Sequence, residues 1–213
     1  MRIAALLLAA LACVTFSGTP RAQSDLPPSY NLYLGAGSFK PSDDAVARDG
    51  LFNLDFGFGG RYSRHLAWEV GWVYYYQDTN TPAALGIQGL GSDKGSLTGS
   101  GFGGLVKLVQ PVGSADFYVG AGLGYYASEL SASTINPLTF QIRSVDRRDK
   151  GWGTQYVAGM DLRASPRFTL GIQYRRVVLD ADFGPGIGTI DNGGGMWQLL
   201  FRSTFGTCND CGG

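Results

Sequence analysis

Large apolar residues alternate with small or polar ones along residues 51–77, and this alternation gives the segment two faces. A period of two is typical of β-strands, here two strands over residues 51–62 and 66–77 joined by a tight turn. One face is apolar and mostly aromatic, with Phe52, Leu54, Phe56, Phe58, Trp68, Val70, Trp72, Tyr74 and Tyr76. The opposite face holds Gly, Asn and charged residues. We interpret the small, charged face as the crowded interior of a barrel and the aromatic face as the side turned to lipid.

The same pattern recurs along the chain and predicts eight strands in all. They lie at residues 30–39, 51–62, 66–77, 96–109, 116–128, 151–163, 167–179 and 195–205. Strands of this length are long enough to cross a bilayer when tilted. The predicted fold is all-β, an eight-stranded antiparallel up-and-down transmembrane β-barrel.

The connections between these strands alternate between long and short along the whole chain. The short turns are residues 63–65, 110–115 and 164–166, and the longer loops are 40–50, 78–95, 129–150 and 180–194. In transmembrane barrels short turns lie on the periplasmic side and long loops lie outside. A soluble sandwich or lipocalin-like barrel would also have alternating strands, but would not show this two-class pattern at every connection. The alternation therefore favours the transmembrane barrel and places both of its ends in the periplasm.

The amino-terminal residues are predicted to direct export. Arg2 is followed by an apolar core at residues 3–14, which is too short to span a bilayer as a helix. We expect a signal peptide at residues 1–22 with cleavage near 22–24. A periplasmic lead-in at 23–29, the barrel at 30–205 and a periplasmic tail at 206–213 follow. Cys208 and Cys211 lie in that tail, where a disulfide and free thiols both remain open.

The composition is consistent with a membrane barrel. The formal net charge is zero, which gives no indication of nucleic-acid binding. Charged residues make up 16%, below the usual quarter of a soluble domain. The 33 glycines fall on many inward positions, where they make room for larger or charged side chains. Neither a cofactor nor a metal ion is expected, because the sequence offers no set of ligands for one.

Charged residues on the inward face are the first candidates for a functional site. They are Asp55, Arg61, Glu69, Lys107, Asp161, Arg163, Arg175 and Arg202. A charge inside a narrow barrel must be paired or hydrated, because an isolated one costs several kcal/mol. We predict a network of ion pairs and hydrogen bonds that fills the lumen; the alternative is a narrow or gated ion path. Arg61 and Glu69, on neighbouring strands near one turn, are the favoured pair.

Aromatic residues on the outward face are predicted to anchor the barrel at the membrane boundaries. The candidates are Trp68, Trp72, Tyr74, Tyr76, Tyr156 and Trp197.

Two Gly- and aromatic-rich segments carry a resemblance to a known family. They are GFGGRYSRHLAWEVGW at residues 57–72 and FYVGAGLGYY at residues 117–126. The pattern resembles the outer-membrane β-barrels typified by the OmpA transmembrane domain and its OmpX-like relatives, over about residues 30–205. Such barrels usually end on an aromatic residue that the barrel-insertion machinery reads, a role that fits Phe205. Because the sequence ends at Gly213, the C-terminal peptidoglycan-binding domain of OmpA is not expected.

The resemblance implies a Gram-negative outer-membrane protein with a structural or surface-interaction role. That role is envelope integrity, adhesion or ligand binding through the extracellular loops. The expected partners are outer-membrane lipid and lipopolysaccharide, the insertion machinery, and an extracellular ligand or host surface. A small-pore channel for ions or small solutes is the alternative. A lipid-modifying barrel enzyme is disfavoured, because His65, the one histidine, lies in a turn assigned to the periplasm.

The loop at residues 129–150 is the leading candidate for a binding element. It mixes Leu130 and Ile135 with the charged run at residues 146–150. We expect the loop to extend as a hairpin above the membrane and to meet a partner. The charged run is read either as a solvated rim or as a contact for lipopolysaccharide phosphates.

Overall fold

The structure is a computed structural model that describes six stretches of the chain. These are residues 29–42, 52–79, 94–135, 142–165, 167–184 and 189–205. The predicted signal peptide and the tail with Cys208 and Cys211 lie outside the described residues. Within those stretches no helix is long and apolar enough to cross a membrane.

Eight antiparallel strands close into a barrel, which confirms the predicted fold. The barrel strands are β1 Ser29–Pro41, β2 Phe52–Ser63, β3 Leu66–Thr79, β4 Lys94–Val112, β5 Ala115–Ile135, β6 Ile142–Arg163, β7 Phe168–Val178 and β10 Gly194–Phe205. Each strand pairs with its neighbour in the chain, and β1 pairs with β10 to close the ring. Closure gives every strand of the ring a hydrogen-bonded neighbour on both sides, as a sheet in lipid requires.

Burial along each strand is inverted relative to a water-soluble sheet. On β10, Leu199 points outward and is 71% exposed, whereas the neighbouring Gln198 points inward and is 1% exposed. On β2, Phe56 is 52% exposed and Asp55 is fully buried. Water would favour the opposite arrangement. The outer surface is therefore built for an apolar solvent, and the polar side chains line the interior.

Three strands rise beyond the rest of the barrel at the end that carries the long connections. β4, β5 and β6 have 19, 21 and 22 residues, against 11 to 14 for the other barrel strands. β5 and β6 stay paired up to Ile135 and Ile142, so most of the predicted loop 129–150 is a hairpin, as expected. We call residues 94–100, 127–135 and 142–150 the outer blade.

A small hairpin within the connection between β7 and β10 was not predicted. Its strands are β8 Asp180–Asp182 and β9 Thr189–Asp191. Ala181 and Phe183 of this connection pack with Ile190, and all three join Leu97 and Leu130 of the outer blade in one buried apolar cluster. The hairpin therefore lies against the inner face of the blade at the long-loop end of the barrel.

Candidate functional site

An arginine–carboxylate cluster lies at the short-turn end of the lumen. Asp116 on β5 accepts a contact from Arg61 Nη2 at 2.7 Å on one oxygen and from Arg163 Nη2 at 3.0 Å on the other. Both arginine side chains keep partial solvent exposure, while Asp116 is buried. Asp116 was absent from the predicted set, although its inward position in the β5 alternation would have identified it.

The prediction that Arg61 pairs with Glu69 is wrong. In the β2–β3 register Arg61 lies opposite Ala67, while Glu69 lies deeper, opposite Gly59. The next strand brings Lys107 opposite Ala67, diagonal to Glu69. Inward side chains of a narrow barrel also meet across the lumen, so proximity to a shared turn does not determine the partner.

A four-residue charged cluster fills the lumen above the short-turn end. Glu69 on β3 contacts both Lys107 Nζ on β4 and Arg202 Nη1 on β10. Arg202 Nε lies 2.9 Å from Asp161 Oδ2 on β6, so two acids and two bases meet from four strands. Lys107 also lies over the Tyr118 ring, 4.0 Å from its centre. With both signs equally represented and Glu69, Lys107 and Arg202 buried, the cluster cross-links the barrel wall from within.

A second buried ion pair lies nearer the long-loop end. Arg175 Nη2 is 2.6 Å from Asp55 Oδ2, and Arg175 Nη1 donates to Gln155 Oε1 at 3.0 Å. The contact between Arg175 and Asp55 is an ion pair by distance, without the angle of a hydrogen bond. Both charged groups are buried, so their mutual attraction acts without the screening that water gives a surface pair.

A chain of side-chain amides links the charged cluster to the long-loop half of the lumen. Lys107 Nζ donates to Gln173 Oε1 at 3.3 Å, and Gln173 Nε2 donates to Gln198 Oε1 at 2.9 Å. Gln198 Nε2 in turn donates to Asn53 Oδ1 at 2.8 Å. Asn53 Nδ2 donates at 2.8 Å to the backbone oxygen of Ser38. Sequence reasoning about charges missed these amides, although the period-two pattern places all of them on the inward face.

Apolar side chains close the lumen on both sides of this polar zone. Leu105, Val109, Tyr118 and Val157 form a cluster towards the short-turn end. Towards the long-loop end, Phe39 stacks on Tyr75 with ring centres 4.5 Å apart, within a cluster completed by Val73, Tyr126, Val177, Leu179 and Met196. The lumen is therefore occupied in layers from one end to the other.

Inward tyrosines fill the space that inward glycines leave. A Cβ added to Gly99 would overlap the Tyr75 ring, and one added to Gly71 would overlap the Tyr33 hydroxyl. Tyr126 likewise lies on Gly101. Large aromatic rings lying on glycines of neighbouring strands pin the strand register. The high glycine content thus serves the packing of the interior.

The six predicted interface aromatics lie on outward positions of the barrel. Trp197 and Tyr156 are 57% and 51% exposed, while the four on β3 are partly buried by their neighbours. Their place at the membrane boundaries stays a prediction. Phe205 is the last residue of β10 and packs near Tyr30 and Phe58, with ring centres 6.5 and 5.9 Å away.

His65 lies in the two-residue turn between β2 and β3. Its ring Nδ1 is 3.0 Å from the backbone oxygen of Val109, at the end of the barrel that carries the short turns. Among the residues that the structure describes, no group of His, Cys, Asp and Glu is arranged to hold a metal ion.

Comparisons with known proteins agree with this architecture. Neisserial surface protein A, from Neisseria, is 14% identical, with 87% of this chain and 100% of that chain covered at a TM-score of 0.54. The N-terminal barrel of OprF from Pseudomonas aeruginosa is 14% identical, with coverages of 83% and 97% and a TM-score of 0.46. Ail, the attachment invasion locus protein of Yersinia pestis, is 15% identical, with coverages of 84% and 97% and a TM-score of 0.43. At these identities the likeness concerns the fold.

No curated protein sequence matches the chain. The family described as "Outer membrane protein beta-barrel domain" matches residues 9–199. Since this match spans most of the sequence, the chain belongs to the outer-membrane β-barrel family and is an integral protein of the bacterial outer membrane.

Proposed function

We propose that this protein is a surface-interaction protein whose binding element is the outer blade, carried by a sealed barrel. The observation that carries the proposal is the layered filling of the lumen beneath a blade that has its own apolar core. A barrel whose interior is committed to internal contacts has little space for a permeating solute. The blade stands above the membrane, where loops and hairpins carry binding functions more often than scaffolds do.

The shape of the blade supports this role. β5 and β6 remain paired up to Ile135 and Ile142, and β4 follows β5 up to Ser133, so the blade presents a fixed surface rather than a loose loop. Its inner face is covered by the β8–β9 connection through Phe183 and Ile190. Its outer face exposes Ser131, Ser144 and Asp146 beside the Arg148–Glu129 pair. A pre-organised polar surface binds a partner with a smaller loss of conformational entropy than a flexible loop.

Planar-bilayer recording of the refolded full chain tests the sealed lumen. We expect no conductance steps, because each layer of the lumen is bridged by side chains from several strands. Regular steps that scale with protein concentration would overturn this part of the proposal and favour the small-pore alternative.

A blade-truncated variant tests the binding role. Residues 129–148 are replaced by Asn-Gly, a two-residue hairpin turn that joins the paired residues Ser128 and Asp149. Bacteria that produce the native protein should adhere to epithelial cell layers, and bacteria that produce the truncated barrel should not. Heat-modifiable gel migration shows that both forms are folded. Equal adhesion by both strains would contradict the proposal.

A further inference from the structure

Two exposed cations flank a gap on the outer surface of the barrel near its long-loop end. Lys40 of β1 lies opposite Gly195 of β10, and Gly195 lies opposite Arg176 of β7. Neighbouring strands are about 4.8 Å apart, so the two cations stand on backbones about 10 Å apart. Gly195 has no side chain, and the hydroxyl of Tyr174 enters the gap that this leaves between Lys40 and Arg176.

The side chain of Arg176 reaches across this gap. Its Nη2 donates to the hydroxyl of Ser42 at 3.4 Å, on the far side of β10. Ser42 is held in place by a backbone hydrogen bond to Gly193 at 3.0 Å. The guanidinium of Arg176 therefore lies near the end of β1, on the same outward face as Lys40. Its partner Ser42 is two residues from Lys40 in sequence.

No carboxylate of the described residues compensates these two cations. None of the ion pairs formed among those residues includes Lys40 or Arg176. Two like charges at one end of the two strands that flank β10 create a local positive potential that favours a bound anion. By contrast, Arg148 in the charged run 146–150 is paired with Glu129 at 2.9 Å, so its charge is already matched.

The surface directly below the cations is aromatic and apolar. A Cβ added to Gly195 would meet the Tyr174 hydroxyl at 2.5 Å, so this hydroxyl leans into the gap. The Tyr174 ring packs on Trp197 with ring centres 5.2 Å apart. Leu199, 71% exposed, continues the apolar surface towards the middle of the barrel. The cations and the hydroxyl thus lie above an apolar surface. A phosphorylated lipid has the matching arrangement, with its phosphate above its hydrocarbon.

We propose that Lys40, Arg176 and the Tyr174 hydroxyl bind a phosphate group of lipopolysaccharide, whose hydrocarbon lies on Trp197 and Leu199. Arg176 supplies a planar fork of N–H donors and Lys40 a second charge. The site is on the wall of the barrel and uses no residue of the outer blade. The outcome of its test is therefore independent of the adhesion proposal.

Native mass spectrometry of the full chain in detergent tests the site. The probes are lipid A with its phosphates and the same lipid after enzymatic dephosphorylation. The native protein should prefer the phosphorylated form. The double variant Lys40→Gln/Arg176→Gln should bind phosphorylated lipid A about tenfold more weakly, because it loses charge-assisted hydrogen bonds. Its binding of the dephosphorylated lipid should be unchanged.

Matched variants separate the site from a general effect of charge. Arg167→Gln removes one exposed arginine at the opposite end of the barrel and should bind as the native protein does. Arg176→Lys keeps the charge and should retain most of the affinity. Unchanged binding by the double variant, or equal binding of both lipid A forms by the native protein, would overturn the site. Inorganic phosphate or phosphatidylglycerol bound as tightly as lipid A would overturn its assignment to lipopolysaccharide.

Discussion

At the scale of single residues, Glu69 is the carboxylate on which the charged cluster depends. It contacts both Lys107 and Arg202 in the interior of the barrel. The Glu69→Gln variant would leave two buried cations with only Asp161 between them, and removing one partner of a buried pair costs about 3 kcal/mol. We expect that loss in the free energy of unfolding, measured by urea titration in phospholipid vesicles.

Glu129→Gln is the matched control for this prediction. Glu129 also pairs with an arginine, but the side chains of Glu129 and Arg148 are 39% and 70% exposed. An exposed pair contributes about 0.5 kcal/mol. If both variants lost the same free energy of unfolding, the interior cluster would contribute no more to stability than the exposed Glu129–Arg148 pair.

Inward glycines give a second prediction at this scale. Gly99→Ala would place a methyl group in the Tyr75 ring, and such overpacking costs about 1–3 kcal/mol. Gly104→Ala on the same strand points outward, where the nearest atoms are 3.7 and 3.8 Å from the new Cβ. We expect Gly104→Ala to be neutral or slightly stabilising, because alanine loses less backbone entropy. Urea midpoints of the two variants check the contrast; equal midpoints would contradict it.

At the scale of elements, the β8–β9 hairpin depends on a few apolar contacts. Phe183 is 3% exposed, and it joins Leu97 and Leu130 of the blade. Phe183→Ala removes the largest side chain of that cluster and should release the hairpin without unfolding the barrel. Hydrogen exchange at residues 179–184 and 189–193 should become faster, while exchange in β7 and β10 stays slow.

Thr189→Ala is the control on the same hairpin, because Thr189 is exposed and lies outside the cluster. Its exchange should match that of the native protein. Faster exchange throughout the barrel in Phe183→Ala would show that the hairpin and the barrel unfold as one unit.

At the scale of the whole molecule, assembly in the cell is expected to depend on Phe205. This residue ends β10, where the resemblance to known barrels places the signal for the insertion machinery. Phe205→Ala should lower the amount of folded protein in the outer membrane, yet leave refolding in detergent nearly unchanged. Phe201→Ala, an outward aromatic of the same strand, is the control and should assemble normally. Equal loss for both variants in detergent would assign Phe205 a purely structural role.

The barrel could be predicted from the sequence because its signal is local. Alternation such as Phe56–Gly57–Phe58 identifies a strand and its two faces without knowledge of the partner strand. The ion pairs could not be predicted in the same way. Arg61 meets Asp116 and Glu69 meets Arg202 only because strands distant in sequence close into one ring.

The elements that the sequence did not reveal were short or lacked a strong pattern. β8 and β9 have three residues each, too few for an alternation to stand out from a Gly-rich connection. The upper part of the blade was expected as a hairpin, but its strands could not be assigned residue by residue, because Ser131 and Ser133 stand on its outward face instead of aromatic residues. Above the membrane the outer face of a strand meets water, so the contrast that marks a lipid-facing strand disappears.

The length of the blade determines how far from the membrane a partner can be reached. Nine residue pairs of β5 and β6, from Ala127–Lys150 to Ile135–Ile142, continue past Tyr126 and Gly151. At about 3.4 Å per residue and a tilt of about 40°, they raise the tip by roughly 20–25 Å. Such a height would carry the hairpin tip past the lipid headgroups and into the surrounding sugar layer. Removing two residues at a time from both β5 and β6 would therefore lower the tip stepwise through this sugar layer. Each strand would keep its inward and outward faces.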